Sequence, residues 1–166
     1  MTKLLAGDIG GTKTSLAIFK IGDGLQVEAK AIFKSTDYPS LEAIAQKFLV
    51  DTGASVTKAV FGVAGPVVNG QSKITNLPWV ISEATLSQTL HLPVVKLLND
   101  LESIAYAVPH LSPADLATIN ANQMDTTGQA GNKAIIAPGT GLGEAVLFFH
   151  KNYYYALASE GGHTDF

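Results

Sequence analysis

Two glycine-rich segments combine residue types that can bind phosphate. The first, residues 7–12, reads GDIGGT and places Gly10, Gly11 and Thr12 directly after an apolar run. Glycines let the backbone turn tightly, and successive amides together with the hydroxyl of Thr12 can donate to phosphate oxygens. Asp8 adds a carboxylate, a ligand that Mg²⁺ prefers, either directly or through water. The segment predicts a phosphate-binding turn with magnesium at Asp8, and a plain glycine hairpin is the alternative.

The second segment repeats this pattern near the end of the chain. Residues 139–143 read GTGLG and again lie between two apolar, strand-like runs. Two such turns from two related domains would clamp an extended polyphosphate. We predict this role for Gly139, Thr140, Gly141 and Gly143. The first segment has the spacing of neither a P-loop nor a dinucleotide-binding fingerprint, and a chance pair of glycine turns is the alternative.

Two polar groups have the residue types to hold and deprotonate a hydroxyl. Asn99 and Asp100 end an apolar run and precede a helical pattern, and open α/β sheets bind ligands at that end of a strand. Asp100 can accept a proton there and Asn99 can donate or accept, although Asn-Asp before a helix is also a common cap. Glu160 and His163 form the second group, on a glycine hinge where a surface turn is the alternative. Gly65, at a tight strand exit, is expected to line the pocket.

The elements that position these residues follow from hydrophobic periodicity. Apolar runs predict strands at residues 3–9, 14–19, 26–33, 59–63, 93–98, 133–137 and 145–149. Helical spacing predicts helices between Ser40 and Gly53, from Ser82 to about Leu90, and from residue 101. This order predicts a mixed α/β sheet, with antiparallel hairpins first and parallel strands later.

A polar, turn-rich stretch from residue 109 to 132 predicts a domain boundary. We therefore expect residues 1–109 to form a first domain and residues 110–166 to begin a second one that is incomplete here. The tyrosines at 153–155 are expected to lie in a strand, and Trp79 is expected to be structural.

Composition narrows the class of protein. Hydrophobic residues make up 46% and charged residues 15% of the chain, which suits a packed core and argues against disorder. The net charge of −3, without a basic run, argues against nucleic acid or an anionic membrane as a partner. There is no cysteine, so disulfides and thiolate metal sites are excluded. No signal-peptide pattern or membrane-length apolar run is present, and we expect a cytoplasmic protein.

Five motifs, in their order, resemble the bacterial glucokinase family within the hexokinase, actin and heat-shock chaperone superfamily. They are GDIGGT, GVAGPV, LND, GTGLG and EGGH, which begin at residues 7, 62, 98, 139 and 160. The resemblance runs from residue 3 to the end of the chain. It implies a ribonuclease-H-like mixed sheet of the actin-like ATPase fold, duplicated into two lobes with glucose and ATP in the cleft. The absence of cysteine points to the branch of the family without a zinc motif.

The resemblance also implies roles for single residues. Asp100 resembles the base that acts on the 6-hydroxyl of glucose or a closely related hexose. Asn99, Glu160 and His163 resemble ligands of the other sugar hydroxyls. The two glycine turns resemble the motifs for the phosphates of ATP, with Mg²⁺ at Asp8.

Three further expectations come from the resemblance. The family suggests a homodimer. A non-catalytic sugar-binding or regulatory protein of the same fold is the alternative, and it would not need Asp8 or Asp100. Family chains are about twice this length, so we expect the 166-residue chain to be a fragment, inactive alone, with its adenosine-binding region beyond Phe166.

Overall fold

The computed structural model describes residues 2–74, 76–119, 130–138, 142–159 and 161–163, with residue 163 described by its backbone alone. The strands and helices are β1 Thr2–Ile9, β2 Lys13–Ile21, β3 Leu25–Lys34, α1 Leu41–Thr52, β4 Lys58–Val63, β5 Gln71–Lys73, β6 Val80–Ser82, α2 Glu83–Leu90, β7 Val95–Asn99, α3 Asp100–Ala107, β8 Lys133–Pro138, β9 Leu142–His150 and β10 Tyr153–Ser159. The chain divides into two compact units, residues 1–100 and 101–166.

The first unit is built on a five-stranded mixed sheet in the order β3-β2-β1-β4-β7. β1, β2 and β3 form antiparallel pairs, whereas β1 pairs in parallel with β4, and β4 with β7. The predicted mixed sheet is therefore confirmed. The separate β5–β6 hairpin was not predicted, because strands of three residues are too short to show a period.

One face of this sheet carries the core of the first unit. Leu5 and Ile9 of β1 and Leu16 and Ile18 of β2 are fully buried, and burial alternates residue by residue along the first half of β2. The buried residues of the helices that pack in the same core are Leu41, Ile44, Ala45, Phe48 and Leu86. Asp8 lies between two core positions of β1, so its side chain projects from the opposite face.

Local signals explain the ends of α1. Ser40 Oγ accepts a hydrogen bond from the amide of Ala43 at 3.3 Å, and Gly53 ends the helix with φ 60°. α2 begins directly after Ser82, as predicted, and the Ser82 side chain makes no capping hydrogen bond to it. Trp79 is 3% exposed in the core, which fits its predicted structural role.

The second unit is a three-stranded antiparallel sheet in the order β10-β9-β8. It repeats the meander of β1, β2 and β3, and the tyrosine run lies in β10 as predicted. α3 packs on this sheet, with Ala105 buried against Ala145, Leu147 and Ala156.

The packing of α3 also explains where the compact units divide. The sequence predicted a boundary at residues 109 and 110, whereas the units divide after Asp100. Leu101 of α3 and Val108, the residue directly after α3, pack on the second core, although the change in composition comes later along the chain. Among the helices of the described ranges, none is long and apolar enough to span a membrane.

Candidate functional site

Three parallel strands of the first unit end in one row. Ile9 pairs with Val63 and Val63 pairs with Asn99, each at the end of its strand. Adjacent strands lie about 4.8 Å apart, so the ends of β1 and β7 are separated by roughly 10 Å. The first glycine turn follows Ile9, Gly65 comes two residues after Val63, and Asp100 follows Asn99. Three sequence segments thus meet at the edge where open α/β sheets bind ligands.

The first glycine turn is tight, and a side chain at Gly10 would crowd it. The Gly10 amide donates to the carbonyl of Lys13 at 2.9 Å. A Cβ atom added to Gly10 would lie 3.2 Å from that carbonyl oxygen, closer than an ordinary contact. The predicted turn is therefore present between β1 and β2. Phosphate binding by Gly10, Gly11 and Thr12 remains a prediction.

Two buried hydroxyls that we did not predict lie behind this turn. Ser35 Oγ donates to the carbonyl of Gly10 at 2.8 Å, and the Ser35 amide donates to the carbonyl of Thr12 at 2.9 Å. Thr14 Oγ1 lies 3.0 Å from Ser35 Oγ, and both side chains are 0% exposed. Thr14 could have been found from the sequence, because it is a polar residue at a position of β2 where the alternation predicts a buried side chain.

Asp8 lies on the open face of the sheet. It is exposed, pairs with Ser15 of β2, and lines a groove of 390 Å³ that also contains Lys30. No three His, Cys, Asp or Glu side chains come together within the described ranges, so those residues form no all-protein metal cage. A single carboxylate suits Mg²⁺, which keeps several waters and binds together with substrate phosphates.

The Asn99 side chain is held by the loop that follows β4. Asn99 Nδ2 donates to the carbonyl of Gly65 at 3.1 Å, across 34 residues of sequence. Gly65 has φ 155°, and a Cβ atom there would lie 3.3 Å from the carbonyl oxygen of Lys73. Gly65 therefore orients Asn99 through its backbone. Direct contact of Gly65 with substrate remains a prediction.

Asp100 is the first residue of α3, and Asn99 occupies the position just before the helix. Both side chains are partly buried, as expected of groups at the rim of a site. This placement fits the cap that the sequence left as an alternative, and it also fits the predicted hydroxyl-binding pair. The hydrogen bond to Gly65 shows that the Asn99 amide is engaged beyond its own helix.

The second glycine turn is described only in part. Gly139, Thr140 and Gly141 lie outside the described residues. Gly143 is in β9, where an added Cβ atom would lie 2.9 Å from Cδ2 of Leu101. The lack of a side chain at Gly143 is therefore explained by the packing of α3, and its phosphate contact remains a prediction.

The glycine corner after β10 packs on the start of β9. Glu160 and the side chain of His163 lie outside the described residues. A Cβ atom on Gly161 would meet the Glu144 carboxylate, and one on Gly162 would meet the backbone of Leu142. The corner thus lies beside the strand that follows the second glycine turn, within the second unit.

Comparison with known proteins identifies the family. A glucokinase family model matches residues 5–166. The glucokinase of Trichormus variabilis is 41% identical over 100% of this chain and 49% of its own length. The chain therefore spans about half the length of this curated relative.

Solved structures agree on the fold. The crystal structure of a glucokinase from an Antarctic psychrotroph has a TM-score of 0.87 at 32% identity, over 99% of this chain and 52% of that one. A glucokinase of the ROK family from Streptomyces griseus, in complex with glucose and AMPPNP, has a TM-score of 0.60 at 19% identity, over 92% and 46% of the two chains. This second likeness bears on the fold alone. The expected actin-like ATPase fold is confirmed, and the chain belongs to the glucokinase family.

Proposed function

We propose that the complete protein transfers a phosphoryl group from ATP to the 6-hydroxyl of glucose or a closely related hexose. Family membership and a relative named glucokinase support this. So do the glucose and AMPPNP bound by the Streptomyces griseus neighbour. The observation that carries the proposal is the row of strand ends at Ile9, Val63 and Asn99. It brings a tight glycine turn, the proposed phosphate site, and an Asn-Asp pair, the proposed hydroxyl site, to one edge of the sheet, where the ends of β1 and β7 lie roughly 10 Å apart.

Phosphoryl transfer depends mainly on positioning and charge stabilisation. In the proposed mechanism Asp100 orients the 6-hydroxyl and takes its proton as the sugar oxygen bonds to phosphorus. Asn99, whose Nδ2 donates to the carbonyl of Gly65, is proposed to bind a further sugar hydroxyl beside it. Glu160 and His163 are proposed to bind further hydroxyls.

The phosphates are proposed to lie on the two glycine turns. Gly10, Gly11 and Thr12 would donate to one part of the chain of phosphates, and Gly139, Thr140, Gly141 and Gly143 to another. Mg²⁺, when bound with the nucleotide, would neutralise phosphate charge, and Asp8 would hold it directly or through water. We place the reaction in the cytoplasm, which supplies ATP, and a homodimer remains part of the proposal.

A coupled assay with glucose and ATP tests the proposal. The protein expressed from its complete reading frame should turn over, whereas the 166-residue chain alone should not. Thermal unfolding with and without glucose forms the second arm. A bound sugar at about a hundredfold excess over Kd should add about 2.7 kcal/mol of stability. Protection without turnover would identify a non-catalytic sugar-binding protein. A complete protein with neither effect would refute the proposed function.

A further inference from the structure

We propose that Ser35 positions the first glycine turn for phosphate binding, an inference that rests on the function proposed above. Ser35 lies 25 residues beyond Gly10 in sequence, at the end of β3, and contacts the turn from the buried side. Its hydroxyl binds the carbonyl of Gly10 and its amide binds the carbonyl of Thr12. One residue therefore holds two of the carbonyl groups of the turn.

The two hydroxyls and the carbonyl of Gly10 form a hydroxyl relay, Thr14 to Ser35 to Gly10, whose direction follows from the number of protons. A serine hydroxyl has one proton, and Ser35 gives it to the carbonyl of Gly10 at 2.8 Å. Thr14 must then donate to Ser35 Oγ across their 3.0 Å contact. Both side chains are 0% exposed, so bulk water does not compete for these bonds. Thr14 supports Ser35 without touching the turn carbonyls through its own hydroxyl.

This relay determines which way the turn amides face. In a trans peptide unit the carbonyl and the following N–H point in opposite directions, and no described peptide bond is cis. Because the carbonyl of Gly10 points at Ser35, the N–H of Gly11 points away from the buried side. The carbonyl oxygens of Gly10 and Thr12, which would repel a phosphate, are held inside. The turn is thus preorganised to present a donor and to hide two acceptors.

Three variants separate positioning from general destabilisation. Ser35→Ala removes the bond to Gly10 and leaves the buried Thr14 hydroxyl without its acceptor, so it should also lower the melting temperature. Thr14→Val keeps the bond between Ser35 and Gly10 and is the matched control. The double variant Ser35→Ala/Thr14→Val removes both hydroxyls, so the carbonyl of Gly10 still loses its donor but no buried hydroxyl is orphaned, and part of the lost stability should be regained.

The test is an amide-resolved NMR titration of the protein expressed from its complete reading frame with magnesium tripolyphosphate, accompanied by thermal unfolding of each variant. The wild type and Thr14→Val should bind alike, with the Gly11 amide among the signals that shift. Ser35→Ala and the double variant should bind about 5- to 10-fold more weakly, the cost of misaligning a donor to a charged group.

Each contrary result has a distinct meaning. A double variant that binds as tightly as the wild type would overturn the positioning role of Ser35 and leave the proposed function standing. Equal weakening in Thr14→Val and Ser35→Ala would also overturn it, because the bond to Gly10 survives in the first. A complete wild-type protein that does not bind tripolyphosphate would refute phosphate binding by this turn and the positioning role of Ser35, whereas the coupled assay tests the proposed function separately.

Discussion

Replacing Gly65 by alanine tests the link between the loop after β4 and the sugar-binding pair. Gly65 has φ 155°, a conformation that residues with a side chain rarely adopt, and its Cβ atom would lie 3.3 Å from the carbonyl oxygen of Lys73. A contact that close to backbone requires the loop to shift by a few tenths of an ångström. The shift moves the Gly65 carbonyl, which accepts from Asn99 Nδ2 at 3.1 Å. Gly65→Ala should therefore weaken the bond that orients the Asn99 amide.

The expected magnitudes follow from these two effects. Backbone strain should lower the free energy of unfolding by about 1–3 kcal/mol. Loss of one well-oriented hydrogen bond to the sugar is worth about 0.5–1.5 kcal/mol, or about a 2- to 10-fold rise in the KM for glucose. The kcat should change less, because a contact made equally in the ground and transition states affects binding alone.

The assay is steady-state kinetics of the complete enzyme with glucose varied, together with urea unfolding. Gly53→Ala is the matched control, since Gly53 has φ 60° at the end of α1 and a Cβ atom there meets nothing within 4 Å. It should cost comparable stability and leave the KM for glucose unchanged. An unchanged KM in Gly65→Ala, at the full loss of stability, would refute the role of Gly65 in orienting Asn99.

Three further predictions follow from the site and the core. Asp100→Asn should lower kcat at least about 100-fold while glucose still raises the melting temperature, and near-normal turnover would remove Asp100 from the role of base. Asp8→Asn should raise the Mg²⁺ concentration needed for half-maximal rate several-fold, because an amide is a weaker magnesium ligand than a carboxylate, and an unchanged Mg²⁺ dependence would exclude Asp8 as a ligand. Gly7→Ala places a Cβ atom 2.6 Å from Cδ1 of Phe61 and should lower the free energy of unfolding by about 1–3 kcal/mol in urea titrations. An unchanged urea midpoint would show that the neighbouring side chains rearrange without cost.

Local patterns in the chain were sufficient for most of the elements. A short apolar run predicted β1, an alternating run predicted β2, and helical spacing predicted α1, whose Ser40 and Gly53 supply the expected ends. Ordered motifs were sufficient for the family, because the residue types at each motif are visible without a structure. The short strands β5 and β6 were not predicted, since three residues show too little periodicity to be distinguished from a loop.

What the tertiary structure decided is which distant residues meet. The strand register aligns Ile9, Val63 and Asn99, and it alone brings the glycine turn and the Asn-Asp pair to one edge. The bond from Asn99 to Gly65 spans 34 residues and the bond from Ser35 to Gly10 spans 25, so no local period reports either of them. A sequence fixes backbone preferences within a few residues, whereas these contacts depend on how whole strands pair. Residue types and turns could thus be predicted along the chain, whereas the hydrogen bonds that orient Asn99 and the first glycine turn are determined only by the paired strands of the sheet.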